Sequence, residues 1–465
     1  MSEFMGANTN VASYDQDYLE DLSKCVKWIR EYHNWAHYES TNDYFKWDDF
    51  TQDQKGKNWP HHTKFIEKCN ELGVSVLVDV LDLPKWIGKE DHIPNSSGDG
   101  SQASDYLERI EFVSQLVARY GSQKIDSSLL KTADKLSGLN YITYYEDDNE
   151  PDYWWYNPRW KAEDYAKYCN AVHDGTGIDT SQKHPLLGIK SVDPNAQHVL
   201  AGLAKTDTVY LQKILDSSNS KIPFDVINIH MYCKDETDAY SPENEIYGFE
   251  KDLTPLLKWR DRTIPGMPFW MTEFGWDTYI DENKQHSYTY ADFEQQANYL
   301  LRSYFILLKM GFEKAFMFMA SDSNSHDINQ YASSGYFFDK QMAHKRKPSF
   351  YYQILVQNIL GSAVFKKVIS YAEKSGVNEN YCFEFENSNK SEKIYVLWTR
   401  ETNSSNDTGA TSAYQLDLKI KPTSAYSVFP KNKDENGDKV NADVNETTIN
   451  LKLSETPQFL IVQYK

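Results

Sequence analysis

The chain has 465 residues, of which 14% are aromatic, and a formal net charge of −19 at pH 7. That length exceeds one ordinary hydrophobic core, so we expect a large domain followed by a smaller one. Residues after position 348 carry 13 Lys and Arg against 14 Asp and Glu, so nearly all of the negative charge lies before them. Such an acidic surface argues against a nucleic-acid partner, which needs a basic patch.

Strand-like apolar runs alternate with amphipathic helical runs up to about residue 362. The predicted strands cover residues 4–8, 26–32, 74–81, 139–145, 198–203, 224–230, 268–272 and 314–320. Apolar residues recur at helical spacing between them, as in residues 104–120, 162–172, 293–310 and 348–360. Eight strands alternating with helices favour an α/β fold, a (β/α)8 TIM barrel over residues 1–362. A doubly wound open sheet is the alternative, but the sequence has no Gly-rich phosphate loop to accompany it.

The helical period disappears at about residue 363, and short alternating runs replace it. These runs cover residues 364–371, 381–386, 393–400, 413–420, 425–429, 447–453 and 458–464. With their Asn-, Ser-, Gly- and Asp-rich turns they are typical of an antiparallel β-sandwich, which we predict for residues 363–465. Asp434-Glu435-Asn436-Gly437-Asp438 is predicted to be a hairpin turn, because the ligand spacing and final Glu of a calcium loop are missing.

Three features concern the cellular compartment. The five cysteines have no C-x-x-C or metal-type spacing and are predicted to be mostly buried free thiols, which do not fix the compartment: Cys25, Cys69, Cys169, Cys233 and Cys382. No apolar run reaches eighteen residues, so we predict no membrane span. The start, Met1-Ser2-Glu3-Phe4-Met5, is typical of a cloning junction, and we expect a secreted, periplasmic or cell-surface protein whose leader is not in this sequence.

Two segments carry the candidate chemistry. Asp148-Asn149-Glu150-Pro151-Asp152 follows the fourth predicted strand, and Trp270-Met271-Thr272-Glu273-Phe274-Gly275-Trp276 spans the end of the seventh. Glu150 and Glu273 are 123 residues apart, about 41 for each of three βα units, so both carboxylates should lie at the C-terminal face of a barrel. Hydrolysis of a glycosidic bond needs such a pair, one as proton donor and one as nucleophile or base.

The pattern resembles the large clan of retaining glycoside hydrolases, clan A, in which the acid/base glutamate follows strand four and the nucleophile follows strand seven. The resemblance covers about residues 1–362. It rests on four segments in order at strand ends: Pro84-Lys85-Trp86, Asn149-Glu150-Pro151, His230-Met231-Tyr232 and Thr272-Glu273-Phe274-Gly275. Residues 149–155 and 223–230 are most similar to β-xylosidase-like and to agarase- or porphyranase-like members.

The resemblance implies roles for the residues around the two carboxylates. Glu150 would act as general acid and then general base, and Glu273 as the nucleophile that forms a glycosyl ester. Asn149 would hydrogen-bond the substrate 2-hydroxyl. The structural alternatives are an exposed turn, since Asn, Pro and Asp all favour turns, and a carboxylate that caps a loop.

Three further polar residues have implied roles. Tyr232 would hydrogen-bond the nucleophile with His230 beside it, and Arg30 would orient the nucleophile through a charge-assisted hydrogen bond. Alone, Tyr232 or His230 would be a packing residue and Arg30 part of an ordinary ion pair.

Aromatic residues at the strand ends are candidate platforms for sugar rings. They are Trp86, Trp154, Trp155 and Trp276, although core packing is the usual role of any single tryptophan. The clan often has a tryptophan at the end of strand eight, where this chain reads Phe316-Met317-Phe318-Met319-Ala320-Ser321-Asp322. The floor of the central sugar site must therefore be built differently, and Asp322 and His326 are candidates for polar contacts there.

These observations predict a retaining glycoside hydrolase that acts on a poly- or oligosaccharide without metal or organic cofactor. A catalytically silent carbohydrate-binding protein on the same scaffold is the first alternative, which the two intact glutamates disfavour. A metal-dependent hydrolase using Asp79, Asp82 or the Asp147/Asp148 pair is the second, but the sequence has no His-x-His or His-Glu-x-x-His ligand set. The sugar, the linkage, endo or exo cleavage and the oligomeric state stay open.

Overall fold

The computed structural model describes residues 1–9, 16–47, 62–89, 92–153, 155–156, 159–178, 186–219 and 221–464. Eight parallel strands form one sheet in the order β5-β4-β3-β2-β1-β8-β7-β6. They are β1 (Met5–Thr9), β2 (Trp28–Asn34), β3 (Ser75–Leu81), β4 (Tyr144–Glu146), β5 (Gln197–Val199), β6 (Ile227–His230), β7 (Phe269–Phe274) and β8 (Lys314–Met317). Parallel bridges from Val199 to Val226 and from Leu203 to Ile229 join the two edges, so the sheet closes into the predicted TIM barrel.

Helices surround the barrel. They are α1 (Gln16–Cys25), α2 (Trp35–Tyr38), α3 (His62–Glu71), α4 (Leu107–Tyr120), α5 (Ala162–Asp174), α6 (Ile189–Val192), α7 (Thr208–Ser217), α8 (Phe249–Thr263), α9 (Phe293–Lys309) and α10 (Pro348–Leu360). Local chemistry fixes their ends: Asp292 and Gln295 form a capping box at the start of α9, and Asp207 caps α7. None of the helices in the described part of the chain has the length and apolarity that a bilayer crossing requires.

The barrel interior is built in layers, as alternation along each strand requires. Trp28, Trp270 and Phe316 fill the N-terminal end with Leu77, Val199 and Val226. Gly6 faces this layer, and a Cβ there would lie 2.3 Å from the Phe316 ring. Two residues further along the strands the side chains become polar and stay buried: Asn8, Arg30, Asp79, Glu146, Asn228 and Thr272. This polar layer lies directly under the C-terminal mouth of the barrel.

The tail forms the predicted antiparallel sandwich. One sheet has the order β14-β13-β17-β11-β10-β9 and the other β12-β16-β15. The strands are β9 (Val364–Ser375), β10 (Asn378–Asn387), β11 (Glu392–Glu401), β12 (Thr411–Asp417), β13 (Ser424–Lys431), β14 (Asp434–Asn441), β15 (Val444–Asn445), β16 (Thr448–Ser454) and β17 (Gln458–Gln463). The prediction of a hairpin turn within residues 434–438 is wrong. Lys431 pairs with Asp434, which already begins β14, so the turn lies between these two residues, where Lys433 has φ 65°.

The larger sheet packs its outer face on the barrel helices. Phe305 of α9 contacts the rings of Phe383, Phe385, Trp398 and Phe459. These residues belong to one continuous buried cluster that includes the apolar layer between the barrel strands and their helices. The chain passes from helix to strand between α10 and β9, so the short connection keeps the two parts in direct contact.

Candidate active site

A cleft of about 660 Å³ opens at the C-terminal ends of the barrel strands, the face on which TIM-barrel active sites lie. Its walls include Tyr32, Asn149, Glu150, Tyr153, Trp155, Lys205, His230, Tyr232, Lys234, Glu273, Phe318, Gln330 and Tyr331. A larger hollow of about 810 Å³ lies in the sandwich beside Tyr464, but the side chains lining it include no carboxylate. The cleft in the barrel is therefore the site with acid–base chemistry.

Glu273, on β7, is held by three donors. Its Oε1 accepts hydrogen bonds from Arg30 Nη1 at 2.8 Å and from Tyr32 OH at 2.6 Å, and its Oε2 accepts one from Tyr232 OH at 2.9 Å. Burial favours a higher pKa for Glu273, but His230, Arg30 and the two tyrosines outweigh it and hold the pKa below its ordinary value. Glu273 is thus ionised and oriented.

Glu150 follows β4 in a left-handed backbone conformation, with φ 49°. Its amide donates to the Gly202 carbonyl at 3.0 Å, which anchors the segment to the strand-five side of the barrel. Burial raises the pKa of Glu150 above its ordinary value; His230 opposes the rise, and the negative charge of Glu273 adds to it. The two glutamates therefore have pKa values that are shifted in opposite directions.

His230 connects Glu150 to the polar layer below. Its Nδ1 lies 2.7 Å from Glu150 Oε1, and its Nε2 lies 3.0 Å from Thr272 Oγ1. The Asn228 amide donates to Glu146 at 2.8 Å, so its carbonyl oxygen accepts from the Thr272 hydroxyl at 2.7 Å. Thr272 must then accept from Nε2, which keeps its hydrogen in both charge states of the ring. The proton that His230 gains or loses is consequently the one at Nδ1, facing Glu150.

Arg30 organises the layer beneath the two glutamates. Fully buried, it makes two hydrogen bonds to Glu146, at 2.6 and 2.9 Å, and one to Asp79 at 2.8 Å. Its Nη2 also donates to Asn149 Oδ1 at 2.9 Å. Because that oxygen is engaged, the Asn149 amide group is the part of the side chain available to a ligand as a donor.

Sequence reasoning gave several residues of this network no role, namely Tyr32, Asn8, Glu146, Asn228 and Thr272, and it considered Asp79 only for a metal-dependent hydrolase. Tyr32 had a usable signal, because it lies two residues beyond Arg30 on the same strand and so faces the same side. The others are interior strand positions, whose partners are set by closure of the barrel.

Aromatic rings line the floor of the cleft where the clan's strand-eight tryptophan is absent. Phe318 follows β8, preceding a cis peptide bond to Met319, and its ring centroid lies 5.7 Å from that of Tyr331. Tyr331 also packs on Tyr232, with centroids 4.5 Å apart. Phe318 and Tyr331 thus bring two aromatic rings, set nearly perpendicular to each other, to the wall of the cleft.

The structure brings only part of the predicted aromatic set to the cleft. Trp155 lines it, with its ring 4.6 Å from that of Tyr153. Trp86 donates its Nε1 hydrogen to the Glu39 carbonyl at 2.8 Å and does not line the cleft. Trp276 is 1% exposed and packs on Tyr299, so no sugar can stack on it. Trp154 lies outside the described residues.

Asp322 is also kept from the cleft. It is 3% exposed and pairs with the buried Lys347 at 2.7 Å, while the Gly335 amide and the Ser325 hydroxyl donate to it. These contacts fix the loop that follows β8, so Asp322 has no free oxygen to offer to a sugar. His326 likewise does not line the cleft.

Two acidic residues of the metal-dependent alternative pair with arginines. Asp79 pairs with Arg30, and Asp148 accepts from Arg109 at 3.2 Å and from Tyr156 at 2.6 Å. Glu150, His230 and Glu273 each bring a ligand atom within 4.8 Å of the others. Arg30 and the two tyrosines already occupy the Glu273 carboxylate, which favours acid–base chemistry over metal binding there.

Comparisons with known proteins extend this description. No protein-family model and no curated sequence matches the chain. Among solved structures, a family 39 glycoside hydrolase from Bacteroides cellulosilyticus has a TM-score of 0.67 at 15% identity, covering 99% of this chain and 82% of that one. An α-L-arabinofuranosidase from Thermotoga maritima has a TM-score of 0.64 at 12% identity, with 99% and 96% covered.

A family 30 subfamily 8 xylanase from Clostridium acetobutylicum has a TM-score of 0.60 at 11% identity, again with 99% and 96% of the two chains covered. At such identities the likeness is one of fold. The TIM barrel and its sandwich thus have the same architecture as these three solved glycoside hydrolases, over nearly the whole chain.

Proposed function

We propose that the protein is a glycoside hydrolase that cleaves a poly- or oligosaccharide with retention of configuration. The observation that carries the proposal is the arrangement of Glu150 and Glu273: a carboxylate oxygen of each lies within 4.8 Å of the other. The separation between whole carboxyl groups is about 5–5.5 Å in retaining enzymes and roughly 6.5–9.5 Å in inverting ones, which must admit a water. So close an approach of two single oxygens supports the retaining arrangement.

In the first step Glu273 attacks the anomeric carbon with a carboxylate electron pair. The glycosidic C–O bond breaks, and its electrons stay on the leaving oxygen, which takes the proton held by Glu150. A covalent glycosyl ester on Glu273 and a free alcohol or sugar result. The lowered pKa of Glu273 and the raised pKa of Glu150 both favour the protonation states that this step requires.

In the second step a water replaces the departed group. Glu150, now a carboxylate, takes a proton from that water as its oxygen attacks the anomeric carbon, and the ester bond to Glu273 breaks. Glu150 is protonated again and Glu273 is again a carboxylate. Between the Glu150 carboxyl group and His230 Nδ1, one proton is therefore needed for the first step and none for the second.

The surrounding side chains support both steps. Arg30, Tyr32 and Tyr232 hold Glu273 at the angle from which it attacks, and Asn149 presents its amide to a substrate hydroxyl. Phe318 and Tyr331 provide the apolar surface against which a sugar ring can stack. The neighbours described above differ in the sugars that their names mention, so the proposal stops at the class of bond cleaved.

A panel of substrates tests the proposal. The full chain is incubated with xylan, arabinoxylan, agarose, porphyran and aryl β-xylosides, and the anomer released first is read by NMR. We expect at least one substrate to release the anomer of retained configuration, and E150Q and E273Q to abolish its release. Inverted product would contradict the mechanism. A binding signal without turnover across the panel would favour the silent carbohydrate-binding alternative.

A further inference from the structure

A second cluster of reactive side chains lies outside the barrel wall, between the strands and α5. Asp147 directly follows β4, His198 lies on β5, and Cys169 faces them from the helix. All three are buried, and one ligand atom of each lies within 4.8 Å of the others. The cluster is separate from the cleft, because Asp147 points outward where its neighbour Glu146 points into the barrel.

Three buried polar atoms of this cluster lack ordinary partners. Within the described part of the chain, neither ring nitrogen of His198 nor Oδ2 of Asp147 has a hydrogen-bond partner, although all are buried. His198 Nε2 and Asp147 Oδ2 are 3.0 Å apart, yet they are not aligned as a hydrogen bond. Buried polar atoms without partners are rare and costly. Two ligand atoms of one tetrahedral zinc ion, each bound at about 2 Å, lie about 3.3 Å apart. Like the Asp147–His198 pair, they are close together without being aligned as a hydrogen bond.

The surroundings hold these atoms in place. Asp147 Oδ1 accepts hydrogen bonds from Tyr165 OH and from the Ala201 amide, both at 2.8 Å, which directs Oδ2 toward His198. Hydrogen bonds of this kind orient the primary ligands of metal sites. Cys169 and His173 are four residues apart on α5 and so share one face. The His173 ring centroid lies 5.6 Å from that of His198, but no His173 nitrogen belongs to the group of ligand atoms within 4.8 Å of one another, so His173 is a neighbour of the cluster and not one of its ligands.

We propose that Asp147, Cys169 and His198 bind a divalent metal ion of the Zn²⁺ type. A thiolate, an imidazole and a carboxylate are each donors that Zn²⁺ binds in proteins. On binding, the Cys169 thiol, which now contacts the Pro223 carbonyl at 3.3 Å, loses its proton to solvent and its sulfur coordinates the ion. The cysteines alone gave no metal-type spacing, because only one ligand is a cysteine.

The ion would have a structural role. It would join α5 to β4 and β5, with Asp147 three residues before Glu150. No step of the proposed glycosidase reaction passes through the ion. This inference therefore stands or fails independently of the proposed function.

The test is metal analysis and Co²⁺ spectroscopy on the full chain, purified without chelator. We expect about one ion per chain. After removal of the metal, CoCl₂ should produce the near-ultraviolet charge-transfer band of a cobalt thiolate, and ZnCl₂ should abolish that band. C169S should lose the band, and H198Q should weaken Co²⁺ binding at least about tenfold, the lower effect of losing a ligand contact. C25S is the matched control, because Cys25 is also buried and also contacts a carbonyl, that of Phe350 at 3.7 Å; it should keep the band.

The wild-type spectrum decides the matter even where a variant fails to fold. A Co²⁺-loaded wild-type protein without a thiolate band, or a purified chain with far less than one ion that takes up none from ZnCl₂, would overturn the proposal. A band that persists in C169S would overturn it as well. Melting with and without EDTA adds a second readout: the chelator should lower the melting temperature of the wild type and of C25S but not that of C169S.

Discussion

Glu150 and Glu273 are identical in chemistry, and their surroundings make them different. Arg30 and two tyrosines donate to Glu273, whereas Glu150 has a histidine whose titrating nitrogen faces it. Burial alone favours the protonated form of both, so the charges and donors around each one decide the difference. The polar layer under the cleft therefore controls which glutamate binds a proton more tightly.

Replacing His230 tests this control. His230 lowers the pKa of Glu273, so H230Q should raise that pKa. Activity requires ionised Glu273, and it is lost as the pH falls through that pKa; the acid limb of kcat/KM should consequently move to higher pH. H286Q, a change at a histidine outside the cleft walls, is the control and should leave the limb where it is. An unmoved acid limb in H230Q would mean that His230 does not act on Glu273.

Tyr232 gives a second prediction for a single residue. Y232F removes one hydrogen bond to a charged carboxylate, worth about 1.5–3 kcal/mol, so kcat/KM should fall roughly 10- to 150-fold. Tyr240 makes the same kind of contact to Asp235 outside the cleft walls, which makes Y240F the matched control. Equal losses in the two variants would show that the Tyr232 contact has no specific role.

At the scale of elements, an irregularity in β7 aims Glu273. Ile229 pairs with Met271 and the next residue, His230, pairs with Glu273, so β7 has one extra residue at this point. In a regular strand with Trp270 and Thr272 facing inward, Glu273 would face outward. The bulge allows Thr272 to reach His230 and Glu273 to reach Arg30.

Gly202, just beyond β5, provides the space for His230. A Cβ at this position would lie 2.1 Å from His230 Nε2. G202A should cost about 1–3 kcal/mol in stability and also lower kcat sharply, because the ring must leave Thr272 and Glu150. G6A overpacks the other end of the barrel against Phe316 and is the matched control. We expect it to lower the melting temperature with kcat nearly unchanged, and similar kcat losses in the two variants would contradict this explanation.

The eight barrel strands and the main helices were predictable because each has its own periodic pattern. The strand expected over residues 139–145 is shorter, β4 being Tyr144–Glu146. The first part of the expected strand instead makes hydrogen bonds to the end of α4: the Leu139 amide donates to the Arg119 carbonyl and the Ile142 amide to the Tyr120 carbonyl. Those apolar residues therefore pack on the helix. Trp276 and Asp322 were expected in the cleft because they follow strand ends, but the turn that comes next decides their direction, and that turn is set by contacts distant in sequence.

On the scale of the whole molecule, barrel and sandwich share one buried core. Trp398 stacks on Tyr381 at 4.8 Å, and its Nε1 donates to Glu243 of the barrel at 3.0 Å. The buried Arg302 of α9 pairs with Asp407 of the sandwich at 2.7 Å and with Glu243 at 3.2 Å. Removing the sandwich would expose the apolar face of α9 and leave this guanidinium with fewer partners.

A chain that ends at Ser362 should therefore be insoluble or strongly destabilised. W398A in the full chain should lower stability by about 3–5 kcal/mol, as expected for a buried tryptophan, and both parts should still unfold in one transition. W155A, a change at a half-buried tryptophan in the cleft, should leave stability nearly unchanged. A soluble, fully active barrel without residues 363–465 would show that the sandwich is an independent appendage.

The assignment of the two glutamates is tested most directly by azide rescue with an activated aryl glycoside. E273A lacks the nucleophile, so turnover should fall by several orders of magnitude and azide should attack the anomeric carbon directly, giving a glycosyl azide of inverted configuration. E150A keeps the nucleophile and still forms the ester, because an activated leaving group needs little protonation. Azide then intercepts that ester and gives the retained anomer. We predict azides of opposite configuration from the two variants; the same anomer from both, or wild-type rates from either, would contradict the assignment.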